Sequence, residues 1–227
     1  MSTAGNIQAG ARAGNGGGIL RLKIQESYYL ERIRDYGLHS ARAVGWTDYL
    51  QVMLFEKISR LFAGRERGMR YTLLDVGAGL GDFSRYLHDH GYADIEYHGV
   101  DVVPEMAAAA RRKYPGLDVR IADFASPAFS GEYDYTVCSG ALNIITERSA
   151  GDYERFVRNF IRKMYGVSRA GCAFNLLCHE AKDFFPDDRC FYYARRDEIH
   201  DFCAGFCDTV SVDYQEHEFT FTVTLRK

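Results

Sequence analysis

The sequence predicts an α/β protein: a mostly parallel sheet with helices on both faces, preceded by a helical segment and closed by an antiparallel hairpin. Three observations predict it. Strand-like and helix-like stretches alternate repeatedly from about residue 71 to residue 206, the pattern of a parallel sheet whose crossovers are helices. A glycine-rich loop, Gly77-Ala-Gly-Leu-Gly81, separates the first such strand from the first such helix. The last stretch alternates in period two on both sides of a short turn, as a hairpin does.

Each element follows from its residues. Positions 21–36 and 47–63 have helical spacing; in the second, Leu50, Leu54, Ile58, Leu61 and Phe62 recur on one side. Thr47 is placed to cap its start and Gly64 to end it. Between the two helices lies a connector, Tyr36 to Trp46, with the only tryptophan. Tyr71–Val76 is a short apolar strand, and Phe83 to His90 a helix stopped by Gly91. Ile95–Val102 is a second strand, and Pro104 opens a helix through the alanines to Tyr114, where a first-turn proline fits. Leu117–Ala122 and Tyr133–Cys138 are the next strands. A long amphipathic helix carries Tyr153, Phe156, Phe160 and Met164 on one side. Ala173–Cys178 is a fifth strand and Ala194–Phe206 a further helix. Thr209–Tyr214 and Glu218–Leu225 form the hairpin, with Phe219, Phe221, Val223 and Leu225 on one face and Thr220, Thr222 and Thr224 on the other.

At 227 residues the chain suits one domain, or one domain with a small appendage. We divide it into a disordered tail (1–18), an N-terminal helical cap (19–68) and the α/β domain (69–227). The tail lacks the apolar centre of a secretory signal. A net charge of −3 with mixed signs makes nucleic acid an unlikely partner, and no apolar run is long enough for a membrane span. The six cysteines include no CxxC pair. Cys203 and Cys207 share a helix face but lack a His/Cys partner set, so no metal is expected, and a reducing cytoplasm fits best.

The glycine loop lies where open α/β sheets bind ligands, beyond the strand C-termini. Glycine there lets a ligand approach the backbone. Asp101 ends the second strand, about 20 residues on, and can accept from two vicinal ribose hydroxyls. Asp123 ends the third strand and can accept from an adenine amino group, with Phe124 to cover the ring. Three strand ends together describe an adenosine pocket. A nicotinamide-dependent dehydrogenase is the competing reading of the loop, but its fingerprint needs a third glycine where this chain has Asp82.

Leu73-Leu-Asp-Val-Gly-Ala-Gly-Leu-Gly81, Asp101, Asp123 and the terminal hairpin resemble the class I S-adenosylmethionine-dependent methyltransferases, over about residues 70–227. The resemblance implies a Rossmann-like seven-stranded, mostly parallel sheet and the cofactor S-adenosyl-L-methionine. It places Asp75, Gly77, Ala78, Gly79, Asp101, Val102, Met106, Asp123, Phe124 and Ser139 around that cofactor. Methyl transfer is an in-line displacement in which the protein mainly aligns the nucleophile and excludes water, so no catalytic triad is expected.

Candidates for the acceptor side follow the fourth and fifth strands. Asn143 and Asn175 offer paired donors and acceptors, and His179 could act as a base near neutral pH. Residues 180–195 mix aromatics with charge in a long loop, where Tyr193 could line a pocket. In the cap, Tyr29 and Trp46 are candidates for the substrate, and Arg42, a lone cation among apolar residues, for the cofactor's carboxylate. The expectation is a small-molecule methyltransferase with an enclosed pocket. A cofactor-binding sensor or partner subunit, and a protein or RNA methyltransferase, are the alternatives. Oligomeric state is not legible.

Overall fold

A computed structural model describes residues 15–66, 68–147, 149–183, 190–214 and 219–227. The cap contains α1 (Asn15–Tyr36), a 3-10 turn over Ala41–Val44 and α2 (Asp48–Ser59), continued by a 3-10 turn over Arg60–Phe62. Helix α1 starts inside the stretch read as a tail, and the rest of that tail lies outside the described residues. Thr47 caps α2 as expected, its hydroxyl accepting from the Leu50 N–H at 3.3 Å.

The α/β part runs β1 (Tyr71–Val76), α3 (Asp82–Asp89), β2 (Ile95–Asp101), α4 (Pro104–Lys113), β3 (Val119–Ile121), β4 (Tyr133–Cys138), α5 (Ala150–Val167) and β5 (Ser168–Cys178). It continues with β6 (Tyr193–Ala194), α6 (Arg196–Ala204), β7 (Thr209–Asp213) and β8 (Thr220–Arg226). The strand order is β3-β2-β1-β4-β5-β8-β7, with the two-residue β6 alongside β5. All pairings are parallel except β5–β8 and β7–β8. The seven-stranded, mostly parallel sheet with a terminal antiparallel hairpin is therefore present. The short β6 is an addition to it.

Strand β8 differs from the expected two-faced strand. Its apolar face is buried, but Thr220, Thr222 and Thr224 are buried too, at 1–6% exposure. The reason is position: β8 lies between β5 and β7, with α6 contacts and contacts from α2 and the Arg60–Phe62 turn. The β-branched carbon of threonine suits a strand, and the burial leaves Thr222 Oγ1 without a hydrogen-bond partner among the described residues. The turn of this hairpin lies outside the described residues.

Two cores sandwich the sheet. Leu74, Cys138, Phe174, Phe221 and Val223 meet Tyr153, Val157, Ile161 and Met164 of α5. On the other face Leu73, Tyr135, Val137 and Ala173 meet Phe55, Ile58 and Phe62. A smaller cluster joins the cap to the domain: Ala43 packs with Leu80, Val103, Met106 and Ala109. This cluster holds the cap above the C-terminal ends of β1 and β2. None of the helices is long and apolar enough to cross a membrane, among the described residues.

Candidate active site

The ends of β1, β2, β3 and β4 and the cap line a common cavity. The glycine loop forms its base. Gly77 and Ala78 donate their N–H groups to the Val100 carbonyl at 2.8 and 3.0 Å, and Gly79 donates to Asp101 Oδ2 at 2.9 Å. These three consecutive amides curl the loop around the end of β2. Gly77 has φ +75°, and a Cβ there would stand 2.3 Å from the Ala141 Cβ. Only glycine meets both demands.

Asp101 is buried and takes a second N–H, from Val103 at 2.9 Å on Oδ1. Each of its oxygens keeps a lone pair for a ligand. Burial pushes its carboxyl up to about 6, against the pull of those amides. Asp75 lies deeper and accepts from the Tyr97 hydroxyl at 2.7 Å. Burial raises it to about 7, the Tyr97 bond opposes this, and the Asp101 charge adds to it. Asp82 anchors the start of α3 by accepting from Lys113 Nζ at 2.6 Å and the Tyr114 hydroxyl at 2.7 Å. At the third strand, Asp123 accepts from the Ala125 N–H at 2.9 Å, and Phe124 packs on Phe129 and Phe160. All four aspartates line the cavity, and no Arg, Lys or His does so among the described residues.

The expected cofactor-side residues Asp75, Gly77, Ala78, Gly79, Asp101, Val102, Met106, Asp123, Phe124 and Ser139 all line the cavity, as do Tyr29 and Trp46. The remaining candidates do not. Arg42 is exposed: the 3-10 turn buries Ala41 and Ala43 and turns Arg42 outward, where its guanidinium lies 5.9 Å from the Tyr36 ring centroid. Asn175 is fully buried and spends its amide on the chain itself. It accepts from the Gly140 N–H at 2.9 Å and donates to Ser139 Oγ at 3.1 Å. Asn143 likewise accepts from the Leu177 N–H at 3.1 Å, and its carbonyl accepts from Tyr192 N–H at 2.7 Å. These two asparagines hold up the loop after β4 from behind. His179 faces Arg195 at 3.3 Å, and Tyr193 packs near Phe191 and Lys182.

Sequence reasoning missed Gln25, Val44, Gln51, Phe55, Asp82 and Phe156 among the lining residues. The spacing held a signal: Gln25 and Tyr29 are four residues apart on α1, and Gln51 and Phe55 four apart on α2, so each pair shares one helix face. No set of His, Cys, Asp and Glu side chains is arranged to hold a metal ion, among the described residues.

Comparison with known proteins agrees with this geometry. A family model described as "Methyltransferase domain" matches residues 73–164. A relative from Mycobacterium tuberculosis, "Putative methyltransferase Rv1506c", is 29% identical over 160 residues, covering 69% of this chain and 93% of its own. Among solved structures, magnesium protoporphyrin IX methyltransferase (ChlM) from Synechocystis PCC 6803 with bound SAM is similar in fold, with TM-score 0.63 and 14% identity. The match covers 96% of this chain and 100% of that one. The DhpI-SAM-HEP complex has TM-score 0.61 and 18% identity, over 95% of this chain and 100% of that one. The glycine cradle and the acid at the end of β2 fit S-adenosyl-L-methionine, and over residues 73–164 the chain matches the methyltransferase domain that its relative and its fold neighbours carry in their names.

Proposed function

We propose that the chain methylates a small-molecule metabolite held between the sheet and the N-terminal cap, in a reducing cytoplasm. One observation carries this reading: Tyr29 and Trp46 of the cap line the same cavity as the glycine loop and Asp101. A roof that close to the cofactor site favours a metabolite over a macromolecule. Magnesium protoporphyrin IX, in the name of one fold neighbour, is itself a small molecule.

In this reading the free lone pairs of Asp101 receive the ribose hydroxyls, Asp123 faces the adenine amino group, and Phe124 covers the ring. When bound, the cofactor would supply an activated methyl on a sulfonium that passes to the acceptor molecule's nucleophile while the neutral thioether leaves. Asp101 and Asp123 facing the cavity suit a cationic ligand. The Ser139–Gly140 turn, braced by Asn175, lines the wall beside Trp46. The burial-raised Tyr29 phenol stays protonated and offers a hydrogen-bond donor to an acceptor molecule. His179 lies off the cavity and has no part in this scheme.

Calorimetry with S-adenosylmethionine and S-adenosylhomocysteine tests the cofactor site; tight binding of both is expected, and binding of neither would overturn the reading. Incubation with fractionated metabolite extracts then tests the acceptor class. Formation of S-adenosylhomocysteine with a low-molecular-mass fraction is expected. Turnover only with protein or RNA fractions would reject the metabolite assignment.

A further inference from the structure

We propose that the carboxylate of the cofactor's amino-acid end is received by uncharged donors of the cap, Gln25, Gln51 and Trp46 Nε1, and not by a guanidinium. The inference rests on the cofactor assignment and goes past it to the polarity of the cap. The order of strand ends fixes the direction of the ligand. Asp123, Asp101, the glycine loop and Ser139 follow one another along β3, β2, β1 and β4. With adenosine at the β3–β2 side, the amino-acid end lies over β1 and β4.

The cap stands over that end. Trp46 Nε1 is 3.1 Å from the position of a Cβ on Gly140, just after β4. Val44 Cγ1 is 3.5 Å from the equivalent position on Gly79. Gln51 lies one turn before Phe55, whose ring centroid is 5.1 Å from that of Phe83 in the first turn of α3. Gln25 lies one turn before Tyr29 on the cavity face of α1. Among the described residues none of these side-chain donors has a hydrogen-bond partner, although all line the cavity.

Charge decides where the carboxylate goes. The sheet side presents Asp101 and Asp123, which attract the sulfonium and the ammonium and repel a carboxylate, whereas the Asp82 charge is met by Lys113 and burial raises Asp75 to about 7. The lining holds no Arg, Lys or His to compensate, among the described residues. The cap faces this end with neutral donors, the amides of Gln25 and Gln51 and the indole N–H of Trp46. Hydrogen bonds from such donors to an ionised group are the stronger kind.

The test compares two ligands that differ only in the amino-acid end. Calorimetry measures S-adenosylhomocysteine and 5′-methylthioadenosine against wild type, Gln25→Ala, Gln51→Ala and Arg42→Ala. Each Gln variant is expected to weaken S-adenosylhomocysteine by roughly tenfold, as for loss of a hydrogen bond to a charged group, and to leave 5′-methylthioadenosine unchanged. Arg42→Ala should change neither. Unchanged S-adenosylhomocysteine affinity in both Gln variants, equal weakening of both ligands, or selective weakening by Arg42→Ala would each overturn the proposal. Failure of wild type to bind S-adenosylhomocysteine would instead overturn the cofactor assignment itself.

Discussion

The sheet wall of the cavity carries polar groups already bonded within the fold, whereas the cap wall carries them half-buried and, among the described residues, without hydrogen-bond partners. Asp101 holds two backbone amides, Asp75 a phenol, Asp82 a lysine and a tyrosine, and Ser139 is held by Asn175. Gln25, Gln51, Tyr29 and Trp46 have no such partners among the described residues. The difference teaches that one wall is pre-organised by folding and the other is organised by what it binds. A pre-bonded wall costs little to order on binding, so it sets affinity; a free wall adapts, so it sets which ligands are accepted.

The largest effect should come from breaking the sheet wall at its tightest point. Gly77→Ala forces a positive φ on alanine and drives its Cβ into Ala141. A cost of about 2 kcal/mol is expected from the backbone alone, lowering Tm by about 4–8 °C; cofactor binding should be lost with it. Thermal unfolding and calorimetry check both. Next comes Asp101→Ala, which should weaken S-adenosylhomocysteine by about 1.5–3 kcal/mol, read by calorimetry; wild-type affinity would remove the ribose assignment.

A pH series separates the walls further. Asp75 and Asp101 are raised by burial to about 7 and about 6, well above an unfolded aspartate. The folded chain therefore holds protons that the unfolded chain has released between about pH 4 and 7, so these groups favour the fold as pH falls through that window. Cofactor binding should show the opposite trend, weakening as pH falls through 7 to 6, because a cationic ligand loses its ionised partners. Asp75→Asn should flatten both trends. Thermal unfolding of the ligand-free protein and calorimetry across pH 5.5–8 provide the check. The smallest effect belongs to Arg42→Ala, whose exposed guanidinium should leave affinity and Tm within error of wild type.

The same contrast explains what was legible in the sequence. The sheet wall was readable because its demands exclude most residues: positive φ at Gly77, and a carboxylate on the last residue of β2 at Asp101. The cap was readable only as helices. Glutamine on a helix carries no mark of function, since a solvated face uses it equally often, and so Gln25 and Gln51 were missed. Arg42 was singled out as a lone cation, but a 3-10 turn decided its direction, and short turns leave little periodicity to read. Asn143 and Asn175 lie near strand ends as expected but outside the cavity lining. Their amides satisfy backbone groups that a loop would otherwise bury without partners. Strand β6 was invisible because two residues make no pattern.

Trp46 gives the protein an optical property as well as a structural one. It is the only tryptophan, and its indole edge meets the Gly140 backbone beside the cavity. Light absorbed at the red edge of the protein spectrum is therefore emitted from one point, where the cap meets the strand ends. Filling the cavity changes the polarity around that ring, so its emission follows occupancy without a label. Stopped-flow mixing would time the arrival of the ligand and any settling of the cap as separate phases, and the same signal would serve to rank candidate acceptor molecules before any product is identified.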